Sequence, residues 1–182
     1  MTTNLFRGQF LKLTAKRDGD TEIIARWDED PDYLRNVDTD IAHPRPQQCF
    51  EDEGNPSPNS FYFRLRTIED DRLVGFVVIH RIEWNNRAGK LAIGIGDAKD
   101  RNKGYGSDAL KLILRYAFHE LNLHRVGLDV IDYNHGAIRA YQKAGFQIEG
   151  RMRQAVHRDG RIHDQIAMGI LRSEWEGLNK NN

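Results

Sequence analysis

From Ser60 onward, apolar and polar residues alternate with a period of two. Phe61, Phe63 and Leu65 share one side, and Tyr62, Arg64 and Arg66 share the other, which is the spacing of a half-buried strand. Asp70-Asp71 offers a turn, Leu73 to Glu83 a second strand, Asn85-Asn86 another turn, and Lys90 to Ile95 a third strand. Short polar turns between such runs predict an antiparallel meander. Gly94 and Gly96 interrupt the end of the third strand, which predicts a bulge or a closely approaching ligand. Upstream, Phe6 to Leu13 also alternates and predicts a first strand covered in part on both faces.

After Ser107 the period changes. Leu110, Ile113, Leu114, Ala117, Phe118 and Leu121 form one stripe at helical spacing, predicting a helix from Asp108 to Leu121 that packs on a sheet. Val126, Leu128 and Val130 predict a short buried strand. Asn134 is a good N-cap for a helix from His135 to Lys143, and Gly145 suits the position just past its end. Phe146 to Arg153 and Ile162 to Leu171 predict two more strands, with Asp159-Gly160 as a hairpin turn. Ser173 to Leu178 predicts a final helical turn, and Asn179 to Asn182 a frayed tail. In the first third, Asp20-Thr21-Glu22 starts a helix whose stripe is Ile23, Ile24 and Trp27 and which Pro31 breaks. Tyr33 to Asp40 fits no single pattern, and Gln47 to Gly54 predicts one or two helical turns framed by prolines. Strands and helices are mixed throughout, so the expected class is α/β (α+β).

Composition narrows the function. The chain has 182 residues, suited to one domain over 1–182, with 39% hydrophobic and 30% charged residues. No apolar run approaches the roughly 20 residues that cross a bilayer. Lys+Arg and Asp+Glu are 27 each, and a balanced charge argues against general binding to nucleic acid or to an anionic membrane. Met1-Thr2-Thr3-Asn4 shows no basic start to a secretory signal, and a single cysteine, Cys49, fits a reducing cytoplasm. Cys49 itself reads as a small apolar residue on a helix rather than a nucleophile. The carboxylates Asp28, Glu29, Asp30, Asp32, Asp38, Asp40, Glu51, Asp52 and Glu53 read as a solvated loop surface, or as an acidic lip that draws in a cationic amine.

The chemistry concentrates at Arg101-Asn102-Lys103-Gly104-Tyr105-Gly106-Ser107, where a strand ends and the long helix begins. The first turn of a helix carries N–H groups with no intrahelical partner and a partial positive charge, a natural seat for phosphate. Gly104 and Gly106 let the backbone approach such a ligand, and Arg101 and Lys103 add charge. The run is not a Walker loop, because Gly106-Ser107-Asp108 lacks the Gly-Lys-Ser/Thr ending. The hairpin strands before it do not suit a dinucleotide fold. His119, Glu120 and His124 lack the His-Glu-x-x-His spacing of a zinc site, so no metal is expected.

The run Arg101-x-x-Gly104-x-Gly106 resembles the acyl-CoA pyrophosphate loop of the GNAT N-acetyltransferases. Asn134-x-x-Ala137-Ile138-x-x-Tyr141-x-x-x-Gly145-Phe146 resembles the second signature of that superfamily, in its RimJ/RimL-type branch. The resemblance implies the GNAT fold, a mixed and mostly antiparallel sheet with a splayed strand pair between flanking helices. It implies acetyl-CoA as cosubstrate, no metal, and an amine-bearing acceptor, either a protein N-terminus or a small molecule. It also allows a homodimer. Ile95 and Gly96 are the expected contacts to the pantetheine arm, and the amides of Asn102 through Ser107 the expected seat of the diphosphate. A phenol keeps its proton near pH 7, so Tyr141 is the candidate acid for the departing thiolate, and Asn134 is expected to orient the pantetheine or a water. The base is open among Glu83, Asp132 and Asp164. The competing reading is a non-catalytic acyl-CoA binding or sensing domain, which has no use for Tyr141.

Overall fold

The computed structural model describes residues 4–180. The signal-peptide reading of Met1 to Asn4 and the tail reading to Asn182 therefore lie partly outside the described residues.

Seven strands form one sheet: β1 (Leu11–Thr14), β2 (Phe61–Thr67), β3 (Leu73–Glu83), β4 (Ala88–Ile95), β5 (Arg125–Ile131), β6 (Gln147–Arg158) and β7 (Arg161–Leu171), in the order β1-β2-β3-β4-β5-β7-β6. Neighbours are antiparallel except β4 and β5, which run parallel. The helices are α1 (Asp20–Trp27), α2 (Pro31–Val37), α3 (Tyr105–Arg115), α4 (His135–Lys143) and α5 (Arg172–Asn179). The meander β2–β3–β4 and the caps of α4 follow the sequence pattern. Asn134 Oδ1 accepts the Ala137 N–H at 3.2 Å, and Gly145 has φ 103°.

The main core lies between one sheet face and α3. Leu65, Val77, Ile79, Leu91, Val126, Leu128, Ile166 and Met168 meet Leu110, Ile113, Leu114 and Phe118 there. A second cluster on the other face packs α1 and α2 through Ile24, Trp27, Tyr33 and Leu34 onto Phe50 and Leu73.

Three sequence expectations change. Phe6 to Leu13 is not one strand: it folds back on itself, with Leu13 N–H bonded to Phe6 O at 2.8 Å, and β1 starts at Leu11. The Asp108 carboxylate holds this turn, accepting the N–H groups of Gln9, Phe10 and Leu11 at 3.0, 2.8 and 2.9 Å. The long helix begins at Tyr105 and ends α-helical form at Arg115. It continues as a π-helical turn over Tyr116–Glu120, closed by Leu121 N–H to Tyr116 O at 3.1 Å. Third, β4 keeps regular pairing with β3 through Gly94 and Ile95 and has no bulge there. Its glycines make room for aromatic rings: a Cβ on Gly94 would lie 2.6 Å from Phe76, and one on Gly96 2.0 Å from Trp27.

Candidate active site

β4 and β5 pair for three residues, Ala88, Gly89 and Lys90 against Arg125, Val126 and Gly127, and then diverge. Beyond that point each strand keeps its outer partner, β3 for β4 and β7 for β5. The facing backbone edges are left open, and the split becomes a cleft through the sheet.

A cavity of about 320 Å³ opens at the split. Its walls include Ile93, Gly94 and Ile95 of β4, Asn102 and Gly106 of the loop, Asn134 and Tyr141 of the α4 segment, and Tyr33 and Asn36 of α2. A smaller cavity of about 60 Å³ continues from it. Asp38, Thr39, Ala92, Asp129, Ile131 and Gln165 line this second space. Ile93, Asn36, Val37, Asn134 and Tyr141 border both, so the two meet at the Tyr141 ring. Tyr141 packs edge-on to Phe146 at 5.9 Å. Burial away from water pushes its phenol up to about 12, so the ring stays protonated where an ordinary tyrosine already ionises.

The loop has the geometry to take an anion. Asn102 has φ 61° and Gly104 φ 85°, both left-handed, and Gly104 caps α3 without a side-chain hydrogen bond. Alternating handedness of this kind turns successive N–H groups toward one concavity. No backbone carbonyl of the described residues accepts from the N–H groups of Asn102, Lys103, Gly104, Tyr105, Gly106 or Ser107; the first N–H so used is that of Asp108, bonded to Gly104 O at 3.0 Å. Six consecutive unpaired donors at a helix start fit a diphosphate. Asp100 is buried beside them. Arg72 neutralises it through bonds of 2.5 and 2.9 Å and so holds its carboxyl below the usual range, with Lys103 at 3.6 Å.

The expected site residues divide as follows. Ile95, Arg101, Asn102, Gly106, Asn134 and Tyr141 border the larger cavity. Lys103 and Gly104 are exposed beside it, and Tyr105 packs on Phe10 at 6.3 Å. Ser107 sits in the first turn of α3. The contact expected at Gly96 is not available: it is buried under Trp27, its N–H bonds Val74 O at 3.0 Å, and its carbonyl accepts from Arg101 at 3.2 Å. Arg101 itself lies 3.6 Å from Asp30. Ile93 was missed; it reads as an ordinary alternating strand position, and only the split shows it to face both cavities.

None of the three base candidates borders either cavity. Glu83 accepts from Asn86 at 2.6 Å. Asp164 takes the Gln154 N–H at 2.8 Å and Arg151 at 2.6 Å, which together hold it below the usual carboxylate range. Asp132 lies 3.3 Å from His163 Nδ1. Part of the acidic lip is committed elsewhere: Asp28 is buried against Arg45 at 2.7 Å, Glu51 meets Lys16 and Glu53 meets Arg64. Of that group, Asp38 lines a cavity. Cys49 is exposed on a short 3-10 turn. His119 stacks edge-on to Trp175 at 4.9 Å, and the described residues contain no group of three or more metal-type side chains.

Comparison with known proteins agrees with this geometry. Residues 11–147 match the family described as Acetyltransferase (GNAT) domain. A probable N-acetyltransferase of Bacillus subtilis, YjcK, is 36% identical over 119 residues, 64% of each chain. A prophage-derived N-acetyltransferase of the same organism, YokL, is 27% identical across 97% of this chain and 98% of its own. The fold is that of spermidine N-acetyltransferase from Vibrio cholerae, solved in complex with CoA and spermine, with a TM-score of 0.81, 23% identity, and coverage of 91% of this chain and 98% of that one. The chain belongs to the GNAT acetyltransferase family, whose members transfer an acetyl group from acetyl-CoA to an amine.

Proposed function

We propose that the larger cavity holds acetyl-CoA and the smaller one the acceptor amine, so that the two meet beside Tyr141 in a ternary complex. The observation that carries this reading is the position of Tyr141 and Asn134 on the border of both cavities. The amides of Asn102 through Ser107 would seat the diphosphate, with Arg101 and Lys103 adding charge, and the open edge of β4 at Ile93 to Ile95 would guide the pantetheine arm. A β4 N–H on that edge would polarise the thioester carbonyl. The amine nitrogen bonds to the carbonyl carbon, the C–S bond breaks, and the sulfur takes the Tyr141 proton. Asn134 spends its side-chain oxygen on the α4 cap, which leaves its amide N–H groups to orient the arm or a water.

The acceptor is a slim primary amine. A small-molecule cation suits the cavity wall at Asp38, the second carboxylate there, Asp129, being paired with Lys90 at 2.6 Å, and the spermine-bound structural neighbour adds to that choice. A protein N-terminus is the second reading, consistent with the RimJ/RimL-type signature around Tyr141. We read residues 1–182 as one domain because a single sheet spans residues 11–171. No helix of the described residues is long and apolar enough to cross a membrane, and with the single cysteine we assign the protein to the cytoplasm. Ile148 and Met152 on the edge strand β6 are 54% and 49% exposed, which supports a homodimer through that edge. The test is a panel of amines with acetyl-CoA, read by thiol release. Slim primary amines should give turnover, and a CoA-binding protein that releases no thiol with any of them would favour the sensing-domain reading.

A further inference from the structure

The chain leaves α2 at Val37 and runs without regular structure through Asp38, Thr39 and Asp40. Asn36 to Thr39 form one wall of the smaller cavity, while β4, β5 and Gln165 of β7 supply the other. Besides a local bond from Asn36 Nδ2 to Asp32 O at 2.8 Å, polar bonds reach this wall from far along the sequence, chiefly from the tip of the β6–β7 hairpin. The Arg35 guanidinium grips the Asp159 carboxylate through Nε at 3.1 and 3.0 Å and Nη2 at 2.7 Å. Arg158 Nη2 donates to the carbonyls of Asp38 and Asp40 at 3.3 and 2.8 Å. The Tyr133 hydroxyl, on the loop after β5, donates to the Arg35 carbonyl. The hairpin tip is a tight left-handed turn, with φ 51° at Asp159 and 71° at Gly160. Its geometry fixes where Asp159 and Arg158 reach. The passage is lined by the end of α2, β4, β5, Asn134, Tyr141 and Gln165 of β7, and the hairpin tip is bonded to the α2 end without lining it.

We propose that the clasp of Arg35, Arg158 and Asp159 is a specificity element that sets the girth of the acceptor. With the clasp shut, the passage admits an unbranched amine end-on; with it loosened, the wall at Asp38 and Thr39, which borders this cavity alone, moves out and branched amines enter. The clasp is weak by construction. The side chains of Arg35 and Asp159 are 31% and 66% exposed, and an exposed ion pair contributes little and is screened by salt. The bonds from Arg158 go to neutral carbonyls and keep the wall in register when the ion pair opens.

This inference rests on the smaller cavity being the acceptor's. The test compares kcat/KM for a branched primary amine and for an n-alkyl amine, in the native chain, Asp159→Asn, Arg158→Gln and the double variant. Asn tolerates the left-handed backbone at this position, so Asp159→Asn removes the charge and keeps the turn; thermal unfolding checks that each variant is folded. The expected result is a rise of about tenfold in the branched-to-linear ratio, the lower end of what pocket shape discriminates. KM for acetyl-CoA should stay constant. Added salt should raise the ratio in the native chain and not in Asp159→Asn. An unchanged ratio in folded, active variants overturns the clasp, as does a parallel rise in KM for acetyl-CoA. If the native chain acetylates no amine, the acceptor reading itself fails and the clasp falls with it.

Discussion

Burial keeps the Tyr141 phenol neutral, and that is the property an acid at the sulfur needs. With its ionisation pushed up to about 12 by desolvation, the phenol keeps its proton near pH 10, where an ordinary tyrosine loses it. The pH profile of kcat should therefore rise as the amine loses its proton and show no falling limb near 10, where an ordinary tyrosine ionises. A falling limb there that disappears in Tyr141→Phe would contradict the assignment. The same variant should lose on the order of 10²-fold in kcat, the scale of general acid catalysis, with KM for acetyl-CoA little changed. Cys49 lies on the surface and borders neither cavity, so no acetyl-cysteine intermediate is available. Initial-rate lines should intersect, as a ternary complex requires, and alkylating Cys49 should leave the rate intact. The Asn134 cap and the turn glycines are legible in the sequence because caps and turns are local signals, whereas Tyr141, an ordinary helical position by pattern, stands out only through its resemblance to the GNAT signature. Gly96 misled because the ring of Trp27, 69 positions upstream, demands a missing Cβ as strictly as a ligand would.

Among the elements, the loop and the first turn of α3 are held by a residue with no visible role in the sequence. Asp108 is buried in that turn, and its carboxylate takes three N–H groups from the Gln9 to Leu11 segment. Gly8 is required beside it, since a Cβ there would lie 2.5 Å from both carboxylate oxygens. Asp108→Asn leaves N–H groups facing an amide that can accept less, and should cost about 1–3 kcal/mol of stability by denaturant unfolding. A loss near zero would show the anchor to be idle. Periodicity found the stripe of α3 but not its π-helical turn. It also took Phe6 to Leu13 for one strand, because the alternation is real and the Asp108 bonds that bend it span 97 to 99 residues. The strands of the meander were readable because hairpin neighbours are adjacent in sequence, whereas the split between β4 and β5 depends on where parallel pairing stops.

Across the whole molecule, one break in the sheet organises the function. β4 and β5 part after three paired residues, the larger cavity opens beside the unpaired amides of Asn102 to Ser107, and the smaller one leads toward the α2 wall and the hairpin tip. On the proposed reading, donor and acceptor come together from these separate spaces at Tyr141, which borders both. The central claim is that main-chain amides grip a diphosphate. Calorimetric titration with CoA and with pantetheine, which lacks the diphosphate, tests it most directly. The account predicts saturable binding of CoA and binding of pantetheine weaker by at least about 100-fold, a difference of about 2.7 kcal/mol. Equal affinity for the two, or no saturable heat with CoA, would contradict it.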